Sequence, residues 1–276
     1  EQTIITSSET ELSFSQLVIS TGVTTDYSFV EDLKEYAYGF SNLKDLLRLK
    51  ELITMINNSS KYNNPLVICG AGPTGIELAC KVSDLVDNRI EIYLIDQRNE
   101  ILSKSKSFNR ERAIYEIAKR NIKIYLEHQI KYINRDFLEI QFNKSEINKS
   151  LKIDYSGLVL TAGLKPAQPE LIHKFLDQNN KVNVNKFLQI CAYKNIFFVG
   201  DVTCSDEYPF PSSAQVAMQQ GLSVAQNIIF LRKGEKLKSF EFEDFGEILS
   251  LGIGNASITG YGITLAGPLA FEIRRL

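Results

Sequence analysis

Val67-Ile68-Cys69-Gly70-Ala71-Gly72-Pro73-Thr74-Gly75-Ile76-Glu77 is the stretch that decides the fold. Residues 66–69 are a short apolar strand, and 70–75 form a tight glycine loop. Residues 76–86 carry Leu78, Ala79, Val82 and Leu85 at helical spacing, and 90–95 read as a second strand. Strand, loop, helix and strand within roughly thirty residues make a βαβ unit. In Gly70-x-Gly72-x-x-Gly75 the first glycine makes the turn and the second lets the backbone approach a pyrophosphate. The third lets the helix pack closely on the strand. Phosphates would rest on the N-terminal amides of the helix and its positive dipole end. Asp96 closes the second strand, 21 residues after Gly75, where an acid can bond a ribose 2′-hydroxyl. A carboxylate there repels a 2′-phosphate and favours NADH, while Arg98, two residues on, leaves NADPH open. The bland alternative, a glycine turn beside a solvated acid, loses ground to the complete βαβ context.

Outward from this unit the chain alternates elements, which predicts an α/β fold. Residues 42–56 place Leu43, Leu46, Leu47, Ile53 and Ile56 near helical spacing. Residues 57–64 are a polar linker before Pro65. A helix is expected near 109–120, with strands at 122–125, 130–133, 138–142, 158–160 and 196–199, and a long helix over 213–231. At the front, 3–6 and 11–20 read as a hairpin, with Leu17, Val18 and Ile19 the buried centre of its second strand. A hairpin with nothing before it to pack on suggests that sequence preceding Glu1 is missing. Arg274-Arg275-Leu276 follows a helix start at Pro268, so the end reads as cut as well.

Composition narrows the functional classes. Hydrophobic residues are 44% and charged residues 23% of the 276, an ordinary globular mix. Lys plus Arg is 31 against 33 for Asp plus Glu, with no basic block, which argues against nucleic-acid binding. No apolar run has the length of a membrane-spanning helix. The four cysteines (Cys69, Cys80, Cys191, Cys204) form no CxxC, and two histidines are too few for a zinc site. A reduced, intracellular protein without a metal is the simplest expectation.

A second set of motifs points further. Leu17-Val18-Ile19-Ser20-Thr21-Gly22 and Leu158-Val159-Leu160-Thr161-Ala162-Gly163 are strands running into small-residue turns. Phe197-Phe198-Val199-Gly200-Asp201 is a strand ending in Gly-Asp. Singly each is an ordinary strand end. In this order around one βαβ unit they resemble the two-dinucleotide flavoproteins, in which an NAD(P)H domain is inserted into an FAD domain. The resemblance implies that Asp201 bonds the flavin ribityl chain, and that Thr21-Gly22 and Thr161-Ala162-Gly163 mark the crossings between domains. It implies a remnant of the FAD domain at 1–61, its first strand and glycine fingerprint being absent, and an NAD(P)H domain at 62–157. The returning FAD domain would occupy 158–240, and a C-terminal quinone- and membrane-side region would begin at 241–276.

Within that class, Pro211-Ser212-Ser213-Ala214-Gln215-Val216-Ala217-Met218-Gln219-Gln220-Gly221 resembles the Ala-Gln-x-x-x-Gln helix of type II NAD(P)H dehydrogenases. Gln215 and Gln219, four apart, share one helix face and can offer amides to a quinone or the flavin ring without adding charge. Ala217, Gly221, Val224 and Ile228 would pack on the sheet. Thr161-Ala162-Gly163-Leu164-Lys165-Pro166 suits the same subfamily. Gly260-x-Gly262-x-x-Leu265-Ala266-Gly267-Pro268-Leu269-Ala270 most resembles its cyanobacterial and plastid branch.

The resemblance implies FAD and NADH as cofactors, with NADPH open, hydride transfer to flavin and then electrons to a quinone. Gly200, Asp201, Ala214, Gln215 and Gln219 would hold ring and quinone. Glu77 is a candidate for coupling proton uptake, against the plain alternative of a first-turn acid favoured by the helix dipole. A cytoplasmic protein is implied, peripheral on the inner face of a plasma or thylakoid membrane and attached by a segment beyond Leu276. A homodimer stays open. Rivals are a disulfide-type or ferredoxin reductase, or a nucleotide-binding fragment without activity. No CxxC serves the first, and the last histidine, His173, is far from the final region.

Overall fold

The computed structural model describes residues 2–143, 150–167, 176–177 and 180–275; Glu1, His173 and Leu276 lie outside them. The chain divides into two compact units, Glu1–Thr24 with Lys165–Asp244, and Thr25–Leu164 with Phe245–Leu276.

The second unit is built on a parallel sheet in the order Ala37–Tyr38, Gly157–Leu160, Leu66–Cys69, Ile92–Ile95, Ile122–Tyr125. Its three inner strands are continuous apolar runs because both faces are covered, while the edge strand Ile122–Tyr125 carries Lys123 and is partly exposed. Leu66, Ile68, Ile92 and Leu94 enter one core with Leu78, Ala79 and Val82 of the helix Pro73–Ser83. Val67, Ile95, Leu158 and Leu160 enter another with Ile130, Leu138 and Ile140. The latter three belong to an antiparallel sheet of His128–Ile133, Phe137–Phe142 and Ser150–Asp154.

The helix over 42–56 forms as Leu43–Asn58, capped by Asn42, whose side chain accepts from the Asp45 N–H at 3.0 Å. Its buried face differs from the expected one. Leu49, Leu52 and Ile56 are buried, while Leu43, Leu46 and Leu47 are exposed. This helix carries more leucines than one face can hold, and the sheet takes the C-terminal set. The residues read as an FAD-domain remnant therefore contribute, from 25 onward, to the core around the glycine loop. Likewise Leu85 is exposed, because the helix ends at Ser83.

The stretch 245–276 forms an antiparallel meander, Glu247–Ser250, Ala256–Gly260 and Ile263–Gly267, followed by the helix Pro268–Arg275. Leu249 and Leu251 join the core of the helix Pro73–Ser83. Asn109, in the helix Ser107–Ala118, donates to the Glu247 carboxylate at 2.9 Å and accepts from the Thr259 hydroxyl at 3.0 Å.

In the first unit the expected front hairpin breaks in two. Thr3–Ile5 pairs antiparallel with Glu11–Ser13, and Leu17–Ile19 leaves to pair parallel with Tyr193–Phe198. A strand cannot serve two sheets without a break, and the break falls at Ser15-Gln16. Val18, expected inside, is 41% exposed. The long helix Ala214–Lys233 starts on Ser213, whose hydroxyl accepts from the Val216 N–H. It stops at Gly234 in the left-handed region, where the Glu235 N–H bonds the Phe230 carbonyl at 2.8 Å. Its buried stripe is Val216, Gln220, Val224 and Asn227; Gly221, expected inside, is exposed.

Candidate functional site

The strand Leu66–Cys69 delivers the chain to Gly70, whose N–H bonds the Ile95 carbonyl at 2.8 Å. Gly70 sits at φ +116°, and a Cβ there would stand 2.8 Å from the Ala162 nitrogen and the Thr161 hydroxyl. Gly72 precedes the helix, with Pro73 at its first position, where a missing N–H costs nothing. A Cβ on Gly72 would meet only Arg98 Nη2, at 3.8 Å. A Cβ on Gly75 would stand 1.7 Å from the Gly70 carbonyl oxygen. So the first glycine permits the turn, the second leaves an open approach, and the third permits close packing. That is the cradle a pyrophosphate needs.

Asp96 is buried and its carboxylate is occupied. Oδ2 accepts from the Ala71 N–H at 2.6 Å and Arg98 Nη2 at 3.3 Å. Oδ1 accepts from the Arg98 N–H at 2.8 Å and Nε at 3.1 Å. Asp96 thus ties the glycine loop to the end of the next strand, and its charge is met by a half-exposed guanidinium. A cavity of about 410 Å³ opens here, with Gly70, Asp96, Arg98, His128, Ala162 and Gly163 among its lining residues. That volume is in the range of small-molecule sites.

His128 was missed by sequence reasoning, and Thr161, read there only as part of a crossing between domains, does more. The Thr161 hydroxyl donates to the Cys69 carbonyl at 2.9 Å and braces the loop. His128 lines the cavity with its Nδ1 2.6 Å from the Leu126 carbonyl. Its only signal was being one of two histidines. Ala162 and Gly163 run into Leu164–Pro166, just as Thr21 and Gly22 run into Val23–Thr25, and these two short strands pair. The chain passes from one unit to the other at 24/25, 164/165 and 244/245.

Glu77 is half-buried, and its Oε1 accepts from the Ser250 N–H at 2.7 Å. Burial raises its carboxyl pKa, against the opposing pull of that bond and of Arg274. Burial likewise pushes the thiols of Cys69 and Cys80 up to about 12, a poor state for thiolate chemistry.

In the first unit Gly200 lies at φ +80° after Tyr193–Phe198. Its N–H donates to Gln220 Oε1 at 2.6 Å, and its carbonyl accepts from the Thr203 hydroxyl at 2.7 Å. Asp201 follows on this doubly held turn. Gln219 spends its amide on the Glu243 backbone, donating at 2.8 Å and accepting at 3.0 Å. Ala214 is exposed and Gln215 half-buried at the start of the same helix. Gln220 was not singled out beforehand, although its place between Val216 and Val224 on an apolar stripe was the available signal.

Residues 1–221 match the family model described as pyridine nucleotide-disulphide oxidoreductase. The chain is 32% identical over 268 residues to demethylphylloquinone reductase of Synechocystis, covering 96% of this chain and 66% of that protein. It is 24% identical to the alternative NAD(P)H-ubiquinone oxidoreductase C1 of Arabidopsis thaliana, covering 99% and 57%. It is 26% identical to type II NADH:quinone oxidoreductase of Staphylococcus aureus, covering 93% and 67%. The first two are thus matched over less than two thirds of their own length. In fold it is similar to NDH2 of Plasmodium falciparum, solved with NADH (TM-score 0.84, 17% identity, 99% of this chain and 76% of that one). It is also similar to the sulfide:quinone oxidoreductase of Aquifex aeolicus (TM-score 0.75, 20% identity, 99% and 70%). A glycine loop fitted to a pyrophosphate, a clamped Gly-Asp turn and a match over residues 1–221 lead to one conclusion: the chain belongs to the pyridine nucleotide-disulphide oxidoreductase family.

Proposed function

We propose that the protein carrying this chain is an FAD-dependent NAD(P)H:quinone oxidoreductase of the type II kind. The observation that carries this is the match along nearly the whole chain to three quinone-reducing relatives, together with a glycine-loop cavity suited to a dinucleotide. FAD, when bound, accepts a hydride from NAD(P)H and passes two electrons to a quinone. The chain's own residues bind and orient. Gly70, Gly72, Gly75 and the helix start receive the NAD(P)H pyrophosphate. Ala162 and Gly163 form a small-residue wall of its cavity. Asp201 accepts a ribityl hydroxyl, and Thr21 and Gly22 carry the crossing beside the flavin domain. Ala214 and Gln215 present the helix start to the flavin ring or quinone. Gln219 acts there through the Glu243 backbone it holds. Glu77, whose carboxyl pKa is raised by burial, is the candidate for coupling proton uptake.

Residues 25–164 form the core of the NAD(P)H-binding unit, and 1–24 with 165–244 the core of the flavin unit. Among the described residues no helix is long and apolar enough to cross a membrane. Exposed Ile263, Leu269 and Ile273 beside Arg274 and Arg275 suit a peripheral contact with a membrane face. The whole protein should be yellow and should oxidise NADH with a soluble quinone analogue, read as loss of the reduced-nicotinamide absorbance. A colourless protein would refute the assignment.

The occupied carboxylate of Asp96 sharpens one expectation. Asp96→Ala frees the Ala71 N–H and Arg98 together, so affinity for NADH and NADPH should both fall, by about tenfold, the worth of a charge-assisted hydrogen bond. Titrating both nucleotides by fluorescence decides it. A loss confined to NADH would mean that the acid reads the ribose instead of holding the loop.

A further inference from the structure

We infer that Gln220 is the positioning residue that sets the Gly200–Asp201 turn for the flavin, and this inference rests on the FAD-dependent reading above. Gln220 is fully buried on a helix stripe otherwise made of Val216, Val224 and Asn227. Phe197, Phe198 and Val202 belong to the same core as the two valines. A leucine or methionine would suit such a position without burying an amide. The amide instead makes one bond of known purpose, accepting the Gly200 N–H at 2.6 Å, while its Nε2 is buried without a partner. A buried donor left unpaired is a cost that packing alone does not explain.

The position of that one bond matters. Gly200 is at φ +80°, so its peptide is free to rotate unless held. Gln220 holds the N–H side. On the carbonyl side the Thr203 N–H at 3.0 Å and hydroxyl at 2.7 Å hold the oxygen. With both sides of Gly200 fixed, the backbone entering Asp201 has one direction. The carboxylate is therefore presented in advance to a hydroxyl-bearing ligand, without an ordering cost on binding. Asn227, on the same stripe, shows what a satisfied buried amide looks like here. It donates to the Lys238 carbonyl and accepts the Lys238 N–H, both at 2.9 Å. Gln220 makes only half of such a pair, and that half is directed at the turn.

The test compares Gln220→Met, which keeps length and loses the acceptor, with Gln220→Glu, which keeps an acceptor oxygen. FAD binding to the flavin-stripped whole protein is read by quenching of flavin fluorescence, and the melting temperature of the stripped protein is read in parallel. Met should weaken FAD binding about tenfold, one hydrogen bond's worth, without lowering the melting temperature. Glu should stay within about threefold of the parent. Thr203→Val, which removes the hydroxyl on the other side of Gly200, should weaken FAD in the same direction. Equal binding by the Met variant and the parent overturns the inference. So does equal weakening by Met and Glu, which would assign the effect to packing. If the parent itself takes up no FAD, the flavoprotein assignment fails first, and the two failures are told apart by that control.

Discussion

Alanine at Gly75 is expected to weaken NAD(P)H binding roughly a hundredfold and to destabilise the glycine-loop unit by about 3 kcal/mol, the upper range for forced overpacking. The new Cβ would stand 1.7 Å from the Gly70 carbonyl oxygen and 2.8 Å from the Thr161 hydroxyl. The nearest obstacle is backbone, so the helix Pro73–Ser83 must lift off the strand Leu66–Cys69. A displacement of about 1 Å at the helix start takes phosphate-facing amides out of hydrogen-bond reach, and losing two charge-assisted bonds costs roughly a hundredfold in affinity. Calorimetric titration with NADH and a thermal melt measure both effects. Gly72→Ala is the informative partner. Its Cβ would meet only Arg98 Nη2 at 3.8 Å, so the melt should hold while NADH affinity still falls, because the added methyl stands where a pyrophosphate approaches. Tight NADH binding by the Gly75 variant would remove the loop from the site.

The second large effect lies under the C-terminal meander. Arg120 donates to Asp84 at 2.8 Å, to the Glu116 carboxylate at 2.8 Å and to the Leu251 carbonyl at 3.1 Å. Its side chain and those of Asp84 and Glu116 are mostly buried. Arg120→Met should cost about 3 kcal/mol or more, because it leaves buried carboxylates and a carbonyl behind. Denaturant melts measure this, and a loss below about 1 kcal/mol would show that the network is dispensable. The cluster also has a pH signature. Burial acts to raise the Glu116 pKa, but hydrogen bonds from Arg120 and Lys119 outweigh it, and the carboxyl ends below its usual value. An acid whose folded pKa is lowered contributes stability above its unfolded pKa, near 4.3, and loses it as pH falls through the folded value. Glu116→Gln should therefore flatten the acid limb of the stability profile; an unchanged acid limb would place the sensitivity elsewhere.

Glu77 illustrates why one residue supports two descriptions. Its place after Gly75 reads in the sequence as a first-turn acid, but the helix starts at Pro73 and holds no acid in its first turn, and the Glu77 carboxylate receives the Ser250 N–H. The pairing spans 173 residues of chain. No local pattern in the sequence predicts such a contact. The same holds for Asp96. Its spacing from Gly75 points to a ribose, and folding places the Ala71 N–H and Arg98 on both of its oxygens.

The sequence by itself determined the βαβ unit, since a glycine triplet between an apolar strand and an amphipathic helix satisfies backbone geometry in one way. It also marked the three inner strands of the parallel sheet, 66–69, 92–95 and 157–160, whose unbroken apolar runs require cover on both faces, but not the edge strand Ala37–Tyr38. Only the tertiary structure decided which leucines of Leu43–Asn58 are buried, where the front strand breaks, and that Gln220 faces Gly200. Each of these depends on a partner far away in the chain. Periodicity shows that a face is apolar, while a buried amide or acid is placed by the one distant group that satisfies it.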